Sequence, residues 1–128
     1  MNYPDHIRYT KDHEWAELVS DTKVRVGITD HAQSSLGDIV YLELPKVGRE
    51  LKAQETFGVV ESIKAVSDLL SPVDGKVAEV NSGLASEPGR INTNPHGEWM
   101  LVIETSTAKF QFQTLMDAAA YSSFVKSL

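Results

Sequence analysis

There is no cysteine among the 128 residues, which excludes disulfide frameworks, thiolate metal sites and a cysteine nucleophile. Any redox role must therefore be borrowed from a bound group. No apolar run approaches the ~18 residues that a membrane-spanning helix needs. Positive charge is scarce: 12 Lys and Arg stand against 18 Asp and Glu, a net charge of −6. Such a surface repels phosphate backbones, so a nucleic-acid partner is not expected. The opening residues Met1-Asn2-Tyr3-Pro4-Asp5-His6 form neither an apolar signal region nor an arginine-rich transit peptide, so the expected location is the cytoplasm, most simply of a bacterium. Neither Gly-x-x-x-x-Gly-Lys-Ser/Thr nor Gly-x-Gly-x-x-Gly occurs, and no serine sits in a recognisable nucleophile setting. His13 and His31 lack matching ligand spacing, so no metal site is expected. The expectation is a protein that is not itself an enzyme.

The length suits a single domain spanning 1–128, able to bury roughly 65–70% of its unfolded surface. Glycines and prolines recur from Gly27 to Gly97, a density of turn signals that favours many short strands over long helices. Strands are predicted over Lys23–Ile28, Asp38–Leu44, Gly75–Val80 and Trp99–Glu104, from alternation or β-branched and aromatic content. A short helix is predicted after Thr29 as N-cap, over residues 30–35, with Gly37 just past its end. A C-terminal helix is predicted over about residues 115–126, with Ala120, Tyr121, Phe124, Val125 and Leu128 on its docking face. Trp15 and Trp99 read as core or core-edge aromatics.

One lysine stands out. In Glu61-Ser62-Ile63-Lys64-Ala65-Val66-Ser67-Asp68, Lys64 is the only cation between Lys52 and Lys76, with small or apolar residues immediately beside it. Gly48 lies 16 positions before it and Gly75 lies 11 after. A lysine so placed fits an attachment point for a group carrier, where a cofactor supplies chemistry and the protein supplies placement. The bland alternative is a solvated surface ion pair worth at most ~1 kcal/mol. Periodicity over Val59–Leu70 predicts an amphipathic helix, with Val59, Val60, Ile63, Val66 and Leu70 as its apolar positions.

Taken together, the motifs resemble the glycine cleavage system H-protein family. The resemblance runs through Tyr9, His13-Glu14-Trp15 and Val26-Gly27-Ile28-Thr29-Asp30-His31-Ala32-Gln33. It continues through Leu36-Gly37-Asp38-Ile39-Val40-Tyr41-Leu42-Glu43-Leu44-Pro45. It is densest at Phe57-Gly58-Val59-Val60-Glu61-Ser62-Ile63-Lys64-Ala65, and extends through Ser71-Pro72-Val73-Asp74-Gly75 and Glu79-Val80-Asn81 to Leu115-Met116-Asp117 and Tyr121. One departure is a loop at Pro95-His96-Gly97-Glu98-Trp99 that is a residue shorter than the family usually has, which leaves its conformation open.

The resemblance implies a mostly β fold, a flattened β-sandwich of the lipoyl/biotinyl-carrier type (a barrel-sandwich hybrid) with short helices and a C-terminal helix. It implies that Val59–Leu70 is two strands and a turn, with Lys64 at the tip. It implies lipoate as cofactor, amide-linked to Lys64, acting as a swinging arm. By resemblance the arm accepts an aminomethyl group from glycine decarboxylase (P-protein) and presents it to the tetrahydrofolate-dependent aminomethyltransferase (T-protein). Dihydrolipoamide dehydrogenase (L-protein) then reoxidises it. A lipoate ligase or an octanoyl/lipoyl transferase must first modify Lys64, with Glu61, Ser62 and Ala65 as expected recognition marks. Glu14 and Asp68 are expected beside a cleft for the loaded arm, with ordinary surface charge the competing reading for both.

A biotin carrier would share the fold, but that family flanks its lysine with methionines, whereas Ile63 and Ala65 stand here. A lipoyl domain of a 2-oxoacid dehydrogenase normally continues into a linker and an acyltransferase domain. A lipoate donor or relay protein for 2-oxoacid dehydrogenase complexes would use the same lysine and hairpin, and it is the alternative that sequence leaves open.

Overall fold

The computed structural model describes residues 3–128. Within them, strands β1 (Ile7–Tyr9), β2 (Glu14–Ser20), β3 (Lys23–Ile28), β4 (Ile39–Glu43), β5 (Glu50–Leu51), β6 (Thr56–Ser62), β7 (Val66–Leu70), β8 (Gly75–Val80) and β9 (Leu101–Glu104) form two antiparallel sheets. One sheet has the order β1-β2-β3-β9-β8-β5; the other is β4-β6-β7. Val24, Val26, Val77, Leu101 and Ile103 of the first sheet share one buried cluster with Ile39, Leu42, Phe57, Val60 and Leu69 of the second. This is the expected sandwich: the two sheets bury these apolar side chains against one another, at ~1.5–3 kcal/mol per large side chain removed from water.

The predicted strands over Lys23–Ile28 and Gly75–Val80 form with those bounds, while those predicted over residues 38–44 and 99–104 are trimmed to Ile39–Glu43 and Leu101–Glu104. Helix α1 (Asp30–Leu36) begins as expected, with the Thr29 hydroxyl accepting the Ala32 amide at 3.2 Å. Gly37 closes it, its amide donating to the Gln33 carbonyl at 2.9 Å. The helix read into Val59–Leu70 is absent. β6 and β7 pair there instead, placing Glu61 opposite Val66 and Val59 opposite Asp68.

The helix predicted over about residues 115–126 is corrected at its start. Met116 is extended and exchanges two backbone bonds with Tyr9, at 2.9 and 3.0 Å. Asp117 is the N-cap, accepting the Ala120 amide at 2.8 Å, and the helix itself runs Ala118–Lys126. Three further helices intervene: α2 (Ser82–Ser86), α3 (Arg90–Thr93) and α4 (Ala108–Thr114), which makes the C-terminal helix α5. The docking face of α5 is Ala118 and Tyr121, flanked by Phe124 and Val125; Ala120 and Leu128 are exposed, unlike the expectation. It seats on a second cluster of Ile7, Tyr9 and Trp15, where the Tyr9 and Tyr121 rings stack with centroids 4.5 Å apart. Trp15 is buried as expected, and its indole nitrogen donates to the Pro95 carbonyl at 2.9 Å. It also lies flat against cross-strand Gly27, where any β-carbon would overlap the ring. Trp99 is half-buried with the Arg25 guanidinium over its ring.

The short loop at residues 95–99 is held at several points. Gly97 and Glu98 amides donate to the Asn94 carbonyl, His96 Nε2 accepts the Asp30 amide at 3.1 Å, and Glu98 pairs with Arg90 at 2.7 Å.

Candidate functional site

Lys64 stands at the tip of the β6–β7 hairpin, exposed between Ile63 and Ala65. The turn is made by Ser62 and contains neither glycine nor asparagine. The Ser62 amide donates to the Ala65 carbonyl at 2.8 Å, while its hydroxyl accepts the amides of Ala65 (3.0 Å) and Lys64 (3.3 Å). Among the described residues, the non-glycine residues with positive φ are His13 and Gln54, so the tip needs no left-handed residue. A hydroxyl that satisfies turn amides in this way substitutes for Asn-Gly chemistry.

The tip rests on the segment that joins α1 to β4. The Ile63 amide donates to the Asp38 carbonyl at 3.1 Å, and Ser62 pairs opposite Ile39. The Lys64 stem crosses Gly37: its Cε is 3.4 Å from the place a β-carbon would occupy there. Gly37 sits at φ +81°, where only glycine is at ease. Among the described residues Lys64 forms no ion pair, so the solvated-pair reading has no partner here. The result is a primary amine held forward on a braced turn with no competing role inside the protein.

The other expected site residues divide. Glu61 lies one residue before the turn, half-buried, with Tyr41 and Val66 as its cross-strand neighbours. Ser62 is buried, and its hydroxyl is committed to shaping the turn. Ala65 is exposed beside the lysine. Asp68 is exposed on β7. Glu14 is only 3% exposed, so ordinary surface charge does not describe it. Burial, helped by the nearby Asp12 charge, pushes its carboxyl up to about 8. The Leu70 backbone amide and the Thr10 hydroxyl, 3.4 Å away, pull the other way. Leu70 ends the strand that carries Asp68, though Glu14 is buried and Asp68 exposed.

Two arrangements went unread in the sequence. The histidines His13 and His31 lie with ring centroids 4.5 Å apart, though among the described residues no group of three or more His, Asp or Glu is placed to hold a metal. His13 Nδ1 instead meets the Tyr121 hydroxyl at 2.7 Å. The bracing of the lysine turn by Gly37, Asp38 and Ile39 also left no local signal, because it arises from backbone groups.

An antiparallel β-sandwich that presents a lysine on a hairpin tip has the architecture of the lipoyl/biotinyl-carrier domains. Comparison with known proteins narrows this. The family model described as "Glycine cleavage H-protein" matches residues 7–128. The chain is 52% identical over 127 residues to the glycine cleavage system H protein of Myxococcus xanthus, covering 98% of this chain and 97% of that one. It is 50% identical over 122 residues to the probable glycine cleavage system H protein of Pyrococcus abyssi, covering 95% and 91%. A crystal structure of a glycine cleavage system H protein from Mycobacterium marinum superposes with a TM-score of 0.87 at 37% identity, covering 98% of this chain and all of that one. The chain belongs to the glycine cleavage H-protein family. Among the described residues no helix is long and apolar enough to cross a membrane.

Proposed function

We propose that this protein is the lipoyl-bearing carrier of a glycine cleavage system, with lipoate joined by an amide to Lys64. The observation that carries this reading is the geometry of that amine: exposed, without an ion pair among the described residues, and at the tip of a turn closed by Ser62. When bound, lipoate supplies a cyclic disulfide that takes up the aminomethyl unit of glycine and is afterwards reoxidised.

The chain's own contribution is placement. Lys64 provides the amide link and reach, and tethering raises the local concentration of its cargo at each partner's site. Glu61 and Ala65 flank the turn as recognition marks for the lipoate ligase or octanoyl/lipoyl transferase, and Ser62 shapes what that enzyme meets. Glu14 and Asp68 receive the cationic end of the loaded arm and keep water from it. A cation at that position would draw the Glu14 carboxyl toward its ionised form, since an opposite charge nearby favours the charged state. The partners this assigns are glycine decarboxylase, the tetrahydrofolate-dependent aminomethyltransferase and dihydrolipoamide dehydrogenase. The protein itself performs no catalysis, and its place is the bacterial cytoplasm.

The test is intact mass after expression with lipoate and a lipoylating enzyme, beside a Lys64→Arg control. A single lipoyl increment that vanishes in the control is expected. An unmodified wild-type mass, with a known lipoyl domain modified in the same cells, overturns the reading.

A further inference from the structure

We propose that Asn92, on α3 and remote from the hairpin in sequence, is a positioning residue for Lys64. The inference rests on Lys64 being the modified lysine. Three consecutive residues meet the turn in antiparallel order. Gly37 lies under the Lys64 stem, the Asp38 carbonyl accepts the Ile63 amide at 3.1 Å, and Ile39 faces Ser62. Asn92 grips this tripeptide at both ends. Its Oδ1 accepts the Ile39 amide at 2.9 Å and its Nδ2 donates to the Gly37 carbonyl at 2.9 Å. The second Nδ2 hydrogen goes to Gln33 Oε1 at 3.0 Å, which ties the last turn of α1 into the same clamp.

The clamp matters because neither element it joins holds the other firmly. Gly37 has no side chain and sits at φ +81°, so as the chain leaves α1 the Gly37 amide to the Gln33 carbonyl is its local tie and no side chain of its own braces it. The hairpin tip is exposed at Ile63, Lys64 and Ala65, so its height above the sandwich is set by the one backbone bond to Asp38 and the pairing with β4. A partner enzyme must find the lysine amine at a near-attack distance of roughly 3–3.5 Å from its own reacting group, and a misplacement of about 1 Å can lower rates by as much as ~100-fold. The Asn92 side chain bonds Ile39, Gly37 and Gln33, so it acts on the lysine through the platform.

Asn92→Asp is the sharpest probe. The aspartate keeps an acceptor for the Ile39 amide but sets a carboxylate oxygen against the Gly37 carbonyl. We expect kcat/KM for lipoate attachment by a lipoate ligase to fall about tenfold, carried mainly by KM, consistent with loss of a single positioned contact. Amide exchange at Ile63 should quicken by a similar factor while that at Val102 stays unchanged. Acylation of the Lys64 amine by a small activated ester, which needs no docking, should proceed as in wild type. Asn92→Ser, milder to the fold, should give an intermediate loss by the same measures. A Val24→Ala variant of matched stability should be lipoylated normally. Wild-type attachment rates in the Asn92 variants, unchanged Ile63 exchange, or an equal loss in Val24→Ala overturns the proposal. Failure of wild-type Lys64 to accept lipoate at all defeats instead the reading on which it rests.

Discussion

The Ser62 hydroxyl accepts the backbone amides of both Lys64, at 3.3 Å, and Ala65, at 3.0 Å. One side chain thus closes the turn that presents the lysine. Ser62→Ala leaves those two amides to water and loosens the tip. The expected cost is about 1 kcal/mol of stability, with slower lipoylation at saturating enzyme. Denaturant unfolding together with a timed mass assay checks both halves; unchanged lipoylation would show that strand pairing alone holds the tip.

Lys64→Arg keeps the charge but removes the acylable amine. Because Lys64 is exposed and forms no ion pair among the described residues, stability should change by less than about 0.5 kcal/mol. Carrier activity with the partner enzymes should be abolished. A large drop in melting temperature would make Lys64 a structural residue.

Glu14 makes stability depend on pH. Folding raises its pKa from 4.5 to about 8, so the folded state keeps a proton that the unfolded chain loses between those values. Its contribution is therefore fully present below about pH 4.5 and is lost as pH rises through about 8. Glu14→Gln should flatten this dependence and leave the variant the more stable protein at alkaline pH, by on the order of 3–5 kcal/mol. Unfolding curves across that range decide the matter: parallel pH profiles for the two proteins would refute it.

Loaded protein tests the same carboxyl in its proposed role. In Glu14→Ala with Asp68→Ala, spontaneous ammonia release from the loaded carrier should accelerate. If the rate matches wild type, neither residue shields the arm.

The Tyr121 hydroxyl is shared between Thr29 Oγ1 at 2.8 Å and His13 Nδ1 at 2.7 Å, joining α5 to the entry of α1 and the β1–β2 loop. Tyr121→Phe removes the bridge and leaves buried Thr29 and half-buried His13 each short of a bond, at a cost of about 1–3 kcal/mol. Thermal unfolding measures this, and a neutral result would mean that water replaces the hydroxyl.

Local pattern carried much of the architecture. Alternation marked Lys23–Ile28 because Val24, Val26 and Ile28 are buried on one face, and period two is the direct trace of that burial; it also marked Gly75–Val80, although there a register shift between Val77 and Glu79 interrupts the period. Thr29 and Gly37 marked the ends of α1 because capping is a contact between near neighbours. Lys64 stood out by its isolation among small and apolar residues, and the motifs around it pointed to the family before any coordinates.

What local pattern misread was decided at long range. Val59–Leu70 has helical spacing, yet pairing with β4 and burial of Phe57, Val60 and Leu69 against the facing sheet made it a hairpin. Its turn carries no glycine or asparagine, because Ser62 closes it by side-chain bonds that a search for Gly and Asn does not register. Leu115–Asp117 was drawn into the C-terminal helix by composition, but Met116 pairs with Tyr9, more than a hundred residues earlier. The raised Glu14 carboxyl, the Asn92 clamp and the Tyr121 bridge all join groups far apart in the chain. The sequence by itself determined the fold class and the caps of α1, and it singled out Lys64 as the candidate. Only tertiary structure decided how rigidly that lysine is held and what surrounds Glu14, because burial and hydrogen bonding between distant segments exist only once the sheets have closed.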